Sequence, residues 1–302
     1  MKQEEPILVA IHCLVYNHEP YLRDCFEGFV MQKTNFRFVA IVHEDCSTDN
    51  SAAIIREYEA KYPDIFRPIY ETENQYSKPD GSLGRIMNAA IDATGAKYIA
   101  MCEGDDYWTD PYKLQKQVDF LESHPDFSMC FHGATIKNET NTKIKTTCDR
   151  IETKEYFTND IFPGWVIPTA SIVYRREMVE KYPSLKHPEW MKFGDIVLSL
   201  KCTHMGRVWG ISDQMSVYRM TEGGAVVSLN NEESRNYFES MCNHYKFLLI
   251  NFPQINKKWI CEYIAVYYYS LLRHPRNISD FLRGFYNVMR YKPSYIIEKH
   301  FR

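Results

Sequence analysis

The first hundred residues alternate between continuous apolar runs and segments with helical spacing, and this alternation limits the fold more than any other feature. The apolar, β-prone runs occupy 7–16, 36–45, 65–71 and 97–102. In 19–32, 51–62 and 83–94, apolar residues recur at the three- and four-residue spacing of an amphipathic helix. Continuous apolar runs are typical of strands that are buried on both faces. The sequence therefore predicts an α/β fold, with a parallel sheet between two layers of helices.

Polar and acidic residues follow three of these runs at the point where each predicted strand ends. They form Asn-His-Glu at 17–19, Glu-Asp-Cys-Ser-Thr-Asp at 44–49 and Glu-Gly-Asp-Asp at 103–106. In open parallel sheets, ligands bind outside the carboxyl ends of the strands. We therefore expect carboxylates from two or three strands to converge on one edge of the sheet.

The acidic run at 103–106 has two interpretations. Adjacent carboxylates repel each other, and a Mg²⁺ or Mn²⁺ ion that also binds substrate phosphates would relieve this repulsion. Alternatively, the run is a solvated turn before a helix at 111–121, with Thr109 or Asp110 as the helix cap. The run at 44–49 also has two interpretations. Asp and Ser favour turns and helix caps, whereas a carboxylate at a strand end can also bind a base or a ribose.

Composition and motifs exclude several other classes of protein. The 302 residues carry a formal net charge of −3, which gives no attraction to nucleic acid. The nine cysteines show no C-x-x-C spacing, and this favours a reducing compartment over a disulfide framework. Neither a G-x-G-x-x-G after the first run nor a P-loop motif occurs, which disfavours Rossmann-type NAD binding and P-loop phosphate binding. The start is unlike a signal peptide, and the longest apolar run, 263–272, is too short for a bilayer, so we expect a cytoplasmic protein.

The pattern changes after residue 126. The predicted elements are strands at 169–178 and 213–220, a helix at 194–206 that ends at Gly206, and further helices after Gly224 with breaks at Pro253 and Pro275. Residues 271–302 hold seven Lys or Arg and two Asp or Glu, a net charge of +5. This basic tail is either a solvated helix face or a region of peripheral contact with an anionic membrane surface.

Four segments, in order and at suitable spacing, resemble the family 2 glycosyltransferases, a large group with the GT-A fold that uses nucleotide-sugar donors. They are VYNHEPYLRDC (15–25), IVHEDCSTDNS (41–51), GRIMNAAIDATGAKYIAMCEGDDYW (84–108) and DPYKLQKQVDFLESHP (110–125). The resemblance covers about residues 6–225. It implies a mostly parallel central sheet flanked by helices, with a nucleotide-sugar-binding half at 1–125, an acceptor-binding half at 126–225 and a C-terminal helical extension at 226–302.

The resemblance also implies a donor site, position by position. Asp45 matches the acidic turn that holds the uracil or other base, and Arg219 matches a position at the diphosphate. The remaining donor-contacting positions are Val15, Tyr16, Asn17, Glu19, Arg85, Asn88 and Asp105.

The D-x-D motif of the family falls on Glu103-Gly104-Asp105 and is followed by Asp106. Glu stands where Asp is usual, and this departure leaves the identity of the first ligand open. The resemblance implies that Glu103, Asp105 and Asp106 hold Mn²⁺ or Mg²⁺ beside the donor diphosphate.

The segment WMKFGDIVLSL (190–200) resembles the part of the family in which inverting members carry a carboxylate base. It makes Asp195 the candidate that deprotonates the acceptor hydroxyl, although Asp195 could instead only cap its helix. The segment 217–225 resembles a late family segment whose paired glycines suggest a loop that closes over the donor, with Thr221 or Glu222 where a His is usual. Three tryptophans could stack on sugars or pack in the core, namely Trp108, Trp165 and Trp190.

The expected function is therefore an inverting, metal-dependent transfer of sugar. The donor would be a UDP-sugar, and the acceptor a hydroxyl group of a saccharide or lipid-linked molecule in surface polysaccharide or glycolipid assembly. Such an acceptor would place the protein in the cytoplasm at the inner face of the membrane. Two alternatives are a nucleotide-sugar-binding protein without catalysis and a sugar-nucleotide pyrophosphorylase, which the absence of glycine from 15–23 disfavours.

Overall fold

The computed structural model describes residues 5–78, 80–139, 148–162, 166–177, 194–221 and 235–300. The strands in these ranges are β1 (Ile7–Val15), β2 (Arg37–Glu44), β3 (Phe66–Tyr70), β4 (Tyr98–Met101), β5 (Tyr107–Trp108), β6 (Phe127–Asn138), β7 (Lys154–Tyr156), β8 (Val173–Arg175) and β9 (Arg207–Met220). The helices are α1 (Leu22–Val30), α2 (Ser51–Lys61), α3 (Ser82–Asp92), α4 (Lys113–Ser123), α5 (Thr158–Ile161), α6 (Gly194–Met205), α7 (Arg235–Asn251), α8 (Lys257–Arg273), α9 (Ile278–Tyr291) and α10 (Ser294–His300). Short 3₁₀ helices lie at Cys148–Arg150 and Thr169–Ser171.

These strands form one sheet in the order β3-β2-β1-β4-β8-β6-β9-β5, and β7 pairs with β9. The first four strands in this order are parallel to one another. Strand β8 is antiparallel to both β4 and β6, whereas β6 and β9 are parallel to each other. The predicted α/β arrangement is confirmed, with a parallel first half of the sheet and a mixed second half.

The register of the parallel strands brings their carboxyl ends together. Val15, the last residue of β1, lies opposite Glu44, the last residue of β2. After β4 the chain continues beside β1, because the backbone N–H of Gly104 donates to the carbonyl of Leu14 at 3.0 Å. The ends of β1, β2 and β4 therefore share one edge of the sheet, as the sequence predicts.

Helices cover both faces of this half because its central strands are apolar on both sides. On one face, α1 packs through Phe26 and Phe29, and the ring centroid of Phe29 lies 4.9 Å from that of Trp108. On the other face, α3 places Met87 and Ile91 in a second core cluster. The sheet edge between these layers remains the place where polar side chains can gather.

Two predictions for the second half of the sheet need correction. The first part of the predicted strand 169–178 is a 3₁₀ turn, in which the Ser171 hydroxyl donates to the carbonyl of Pro168 at 2.6 Å, and only Val173–Arg175 is a strand. The predicted strand 213–220 is the end of the longer strand β9, which begins directly after Gly206. The predicted helix before Gly206 is confirmed as α6.

The C-terminal part is helical, as predicted, and its breaks fall at prolines. Pro253 lies between α7 and α8, Pro275 between α8 and α9, and Pro293 between α9 and α10. Proline removes a backbone donor and clashes with the preceding turn, so each break has a local cause. Within the described ranges, none of the helices combines the length and the apolar character needed to cross a bilayer.

Candidate active site at the carboxyl edge of the sheet

Side-chain hydrogen bonds join two loops at this edge, the first loop (16–21, after β1) and the second loop (45–50, after β2). The amide oxygen of Asn17 accepts a hydrogen bond from the backbone N–H of Thr48 at 2.8 Å. The Glu19 carboxylate accepts two bonds from Asn50, at 3.0 Å from its backbone N–H and at 2.7 Å from its side chain. Asn17 has a φ of 55°, a left-handed conformation that Asn tolerates well. Asn17 and Glu19 thus fix the loops that line the edge, while Tyr16 is exposed.

Asp45, at the start of the second loop, is buried and holds a third segment in place. Its carboxylate oxygens accept hydrogen bonds from the backbone N–H groups of Gln75 at 2.6 Å and Tyr76 at 3.0 Å. Its own N–H donates to the carbonyl of Val15, which is buried at the end of β1. A carboxylate has about four acceptor positions, so Asp45 retains capacity for a ligand donor. Its role in holding a base stays a prediction.

The acidic turn, residues 103–106 after β4, packs tightly against the first loop. The turn is closed by the N–H of Asp106, which donates to the carbonyl of Glu103 at 3.1 Å. At Gly104, a Cβ atom would lie 2.7 Å from Nδ1 of His18 and 3.0 Å from a methyl carbon of Val15. Only glycine therefore allows the turn to approach the first loop this closely.

Two carboxylates of the acidic turn, Glu103 and Asp106, have raised pKa values. Burial, together with the charges of Asp105 and Asp195, raises the pKa of Glu103 to about 8. Burial and the charge of Asp105 raise the pKa of Asp106 well above its ordinary value. The cluster therefore needs protons or a cation to neutralise it.

Asp195 belongs to this cluster although it lies about 90 residues further along the chain. It stands in the first turn of α6, and its charge is one cause of the raised pKa of Glu103. One carboxylate oxygen accepts from the N–H of Ile196 at 2.9 Å, and the other accepts from the hydroxyl of Thr169 at 3.4 Å. The 3₁₀ turn that replaces the predicted strand thus places Thr169 where it can orient Asp195.

Arg219, near the end of β9, connects the acidic turn to helix α1. Its side chain is buried, forms an ion pair with Asp24, and donates to the carbonyl of Asp105 at 2.9 Å. Its guanidinium carbon lies 4.4 Å from the ring centroid of Tyr107. Its backbone N–H donates to one oxygen of Asp106 at 2.8 Å. The contact between Arg219 and a diphosphate stays a prediction, and the described contacts give Arg219 a role in holding the turn.

The donor positions on α3 lie apart from this network in the described contacts. Arg85 is exposed and donates to the carbonyl of Asp80 at 2.5 Å, and Asn88 is exposed on the same helix.

Of the three tryptophans that could stack on a sugar, Trp108 is buried. Its indole N–H donates to the carbonyl of Ala170 at 2.8 Å, so Trp108 has a packing role. Five predicted positions lie outside the described residues, namely Trp165, Trp190, Glu222 and the paired glycines 223–224.

Sequence reasoning missed His18, Asp24 and Tyr76. Within the described residues, Nδ1 of His18 is buried without a hydrogen-bond partner, and it faces the acidic turn at Gly104. Asp24 anchors Arg219, and Tyr76 leaves 67% of its surface exposed beside Asp45. The position of His18 between Asn17 and Glu19 was a usable signal, whereas the contact of Asp24 depends on tertiary structure.

The acidic turn offers the donor atoms that Mg²⁺ or Mn²⁺ prefers. Oδ2 of Asp106 is buried with no hydrogen-bond partner in the described part of the chain, and Glu103 and Asp105 are partly exposed. No group of three or more His, Cys, Asp or Glu side chains within the described ranges is arranged to hold a metal ion by itself. These ions commonly bind one or two carboxylates together with substrate phosphates, and the turn can supply that number.

Comparison with known proteins agrees with the resemblance seen in the sequence. The family model described as "Glycosyl transferase family 2" matches residues 11–183. The protein Rv1520 of Mycobacterium tuberculosis (strain ATCC 25618 / H37Rv), named without an activity, is 34% identical over 215 residues, which are 70% of this chain and 58% of Rv1520. The chain thus spans less than two thirds of that relative. TuaG of Bacillus subtilis (strain 168), a glycosyltransferase named for teichuronic acid biosynthesis, is 23% identical over 70% of this chain and 79% of TuaG.

Solved structures share the fold. TarS 1–349 of S. aureus in complex with UDP-GlcNAc matches with a TM-score of 0.65 and 14% identity, over 96% of this chain and 83% of that chain. The mannosyltransferase PcManGT of Pyrobaculum calidifontis, in complex with GDP-Man and Mn²⁺, matches with a TM-score of 0.57 and 15% identity, over 97% and 85% of the two chains. The family match covers more than half of the sequence and includes the first loop, the second loop and the acidic turn. The chain is therefore a member of glycosyl transferase family 2.

Proposed function

We propose that this chain transfers a sugar from a nucleoside diphosphate donor, a UDP-sugar, to a hydroxyl group of an acceptor. The observation that carries the proposal is the convergence of Asp195 with the acidic turn. The charge of Asp195 contributes to the raised pKa of Glu103, so the candidate base lies close enough to a candidate metal ligand for the two carboxylates to interact. The structural neighbours in complex with UDP-GlcNAc or GDP-Man support a nucleotide-sugar donor.

The donor would lie along the edge formed by the first loop, the second loop and the acidic turn. Asp45 would bind the base, and Tyr16 provides an exposed ring beside it. Val15, Asn17 and Glu19 would shape this pocket through the loop contacts. Arg85 and Asn88 would reach the donor from α3, and Arg219 would keep the acidic turn beside the diphosphate.

We propose that the acidic turn binds Mn²⁺ or Mg²⁺ through Asp105 and Asp106, with Glu103 as a further ligand. When bound, the ion neutralises negative charge on the leaving diphosphate. The buried, unpartnered Oδ2 of Asp106 supports this assignment, as does the raised pKa of Glu103. The complex of PcManGT with GDP-Man and Mn²⁺ gives independent support from a structural neighbour.

Asp195 would act as the base in a single displacement. The acceptor oxygen forms a bond to the anomeric carbon while the bond from that carbon to the phosphate oxygen breaks. The hydroxyl proton passes to Asp195, and the nucleoside diphosphate leaves with the bonding electron pair, so the configuration inverts. The hydrogen bond from Thr169 would hold the carboxylate in position.

The acceptor and the cellular place form a further part of the proposal. Residues 1–125 would bind the donor, 126–225 the acceptor, and 226–302 would form a helical extension. We propose a saccharide or lipid-linked acceptor in surface polysaccharide or glycolipid assembly, at the inner face of the membrane. TuaG, a relative named for teichuronic acid biosynthesis, supports an acceptor of this class. That name describes TuaG, and its pathway is only a guide for this chain.

The test measures donor binding and nucleoside diphosphate release with a panel of UDP- and GDP-sugars, with Mn²⁺ and with EDTA. We expect Asp195→Asn to bind the donor within about twofold of the wild type and to lose at least about a hundredfold in turnover. Asp105→Ala should lose metal-dependent binding. Asp64→Asn, an exposed carboxylate just before the start of β3 and so at the opposite edge of the sheet, should change neither quantity. Equal turnover of Asp195→Asn would remove the base assignment. Donor binding that EDTA leaves unchanged would remove the metal assignment.

The same assay separates the two alternatives. A sugar-nucleotide pyrophosphorylase would consume a nucleoside triphosphate and a sugar phosphate and release pyrophosphate. A binding protein without catalysis would bind the donor and release no product with any acceptor. Either result would contradict sugar transfer.

A further inference from the structure

Helix α9 (Ile278–Tyr291) is attached to the rest of the chain by one side only. Its buried residues are Gly284, Asn287 and Val288. A Cβ atom at Gly284 would lie 3.2 Å from Cα and Cβ of Leu272, so α9 lies close against α8. This packed side leaves the opposite side of α9 directed outward.

The outward side carries a continuous apolar stripe, which we call the α9 apolar face. It consists of Ile278, Phe281, Leu282, Phe285, Tyr286 and Met289, with 80, 45, 58, 44, 62 and 42% of their surfaces exposed. Spacings of three and four residues place them in one row along the helix. Within the described residues, this face holds six of the twelve exposed large hydrophobic side chains. A stripe of this kind marks an interaction surface, whereas single exposed apolar residues do not.

Basic side chains border the α9 apolar face. Arg273 and Arg276 are exposed just before the helix, and Arg290 is exposed one turn from Tyr286. No ion pair involves these three arginines in the described part of the chain, whereas Arg283 pairs with Glu239 at 2.9 Å. The acidic residue of α9, Asp280, accepts a hydrogen bond from the backbone N–H of Arg276 at 3.4 Å, so the described charges around the face are positive in sum.

The combination of an apolar stripe and a basic border selects one kind of partner. A second copy of the chain would bring two basic borders together, and nucleic acid would leave the apolar stripe in water. A bilayer with anionic lipids accepts both features, because apolar side chains enter the boundary of the acyl region and arginines meet headgroup phosphates. Fourteen residues give a helix of about 21 Å, which can lie in the surface but is shorter than the hydrocarbon core of about 30 Å.

We propose that the α9 apolar face and its bordering arginines bind the surface of membranes that contain anionic lipids, with α9 lying in the plane of the surface. This binding does not depend on sugar transfer. It also differs from simple attraction of a basic tail, because it requires the apolar side chains as well as the charges.

The test is flotation of the full chain with vesicles of phosphatidylcholine alone and with vesicles of equal parts phosphatidylcholine and phosphatidylglycerol. We expect the wild type to float with the anionic vesicles. Leu282→Ser with Tyr286→Ser should weaken the partition by about tenfold or more, because it removes two apolar side chains from the interface. The matched control is Ile250→Ser with Phe157→Ser, which changes two exposed apolar residues outside α9 and should float like the wild type.

A second variant tests the charges. Arg276→Gln with Arg290→Gln should weaken binding to the anionic vesicles and leave the circular dichroism spectrum of the protein unchanged.

Two results would overturn the proposal. One is equal flotation of the wild type, the α9 variant and the control. The other is a dimer in lipid-free solution that light scattering shows to become a monomer in Leu282→Ser with Tyr286→Ser, because a second copy would then cover the face. The arginine variant keeps the proposal testable if the apolar variant fails to fold.

Discussion

Lys113, at the start of α4, is a buried cation beside the candidate site. Its amino nitrogen lies 4.0 Å from the ring centroid of Trp108 and has no hydrogen-bond partner in the described residues. Burial lowers the pKa of Lys113 to about 7. An unfolded lysine titrates near pH 10.4, so between about pH 7 and about pH 10 the unfolded chain binds more protons than the folded chain. In this window, the contribution of Lys113 to the free energy of unfolding becomes less unfavourable as the pH rises.

We predict that Lys113→Met raises the free energy of unfolding at about pH 6 by up to about 4 kcal/mol, less the lost contact with the Trp108 ring. The gain should shrink steadily and vanish near about pH 10. Urea unfolding of both proteins between about pH 6 and about pH 10 measures this difference in the free energy of unfolding. Burial raises the pKa of Cys102 and of Cys130, and both act in the opposite direction above about pH 8.5. Because the charge of Lys113 lowers the pKa of both thiols, the comparison isolates Lys113 only below about pH 8. A difference that stays constant with pH would contradict the lowered pKa.

At the scale of helices and strands, the parallel half of the fold could be predicted from the sequence and the second half only in part. Strands β1, β2 and β4 are buried on both faces, and each therefore appears as an unbroken apolar run. The error at 169–178 arose because the β-prone residues 172–174 made the whole segment resemble a strand, yet Ser171 bonds to Pro168 and closes a turn before them. Local hydrogen bonds of this kind compete with strand pairing and leave little trace in the hydrophobic pattern.

The contact between the acidic turn and the first loop can be tested at Gly104. We predict that Gly104→Ala lowers the free energy of unfolding by about 1–3 kcal/mol, because the methyl group would meet His18 at 2.7 Å, and that it weakens donor binding. Gly84→Ala is the matched control, since nothing lies within 4 Å of its Cβ on the exposed side of α3. The control should raise stability by about 0.5–1 kcal/mol through the helix propensity of alanine. Thermal unfolding measures the stability of each variant, and titration with donor measures its donor binding. Equal changes in stability for the two variants would show that the acidic turn is loosely packed.

At the scale of the whole molecule, the sequence placed the acidic groups of the site on one edge but could not supply the contacts that arrange them. The strand ends that carry Asp45 and Asp105 were predictable from the parallel topology. The approach of Asp195 was implied only by resemblance, because its helix comes from the mixed half of the sheet. The ion pair of Arg219 with Asp24 joins residues 195 positions apart, and no periodic pattern encodes such a pair.

The helix that carries Asp195 is also connected to the α9 apolar face through packed helices. Val197 and Leu200 of α6 share a core cluster with Phe252 and Ile260, and α8 in turn supports α9 at Gly284. A membrane-bound α9 would therefore attach the part of the molecule that carries the candidate base to the bilayer surface. If both proposals are correct, the advantage should appear only for an acceptor that is itself in the membrane.

We predict that Leu282→Ser with Tyr286→Ser lowers sugar transfer to a lipid-linked acceptor in anionic vesicles by about tenfold, because the effective concentration of enzyme at the surface falls. Transfer to a water-soluble acceptor, or hydrolysis of the donor, should stay unchanged, since α9 is not part of the site. The measurement compares initial rates of nucleoside diphosphate release in the two assays, with Ile250→Ser and Phe157→Ser as the control. An equal loss in both assays would indicate damage to the fold. No loss in the vesicle assay, with flotation reduced, would contradict the prediction that membrane binding through α9 speeds transfer to a membrane acceptor.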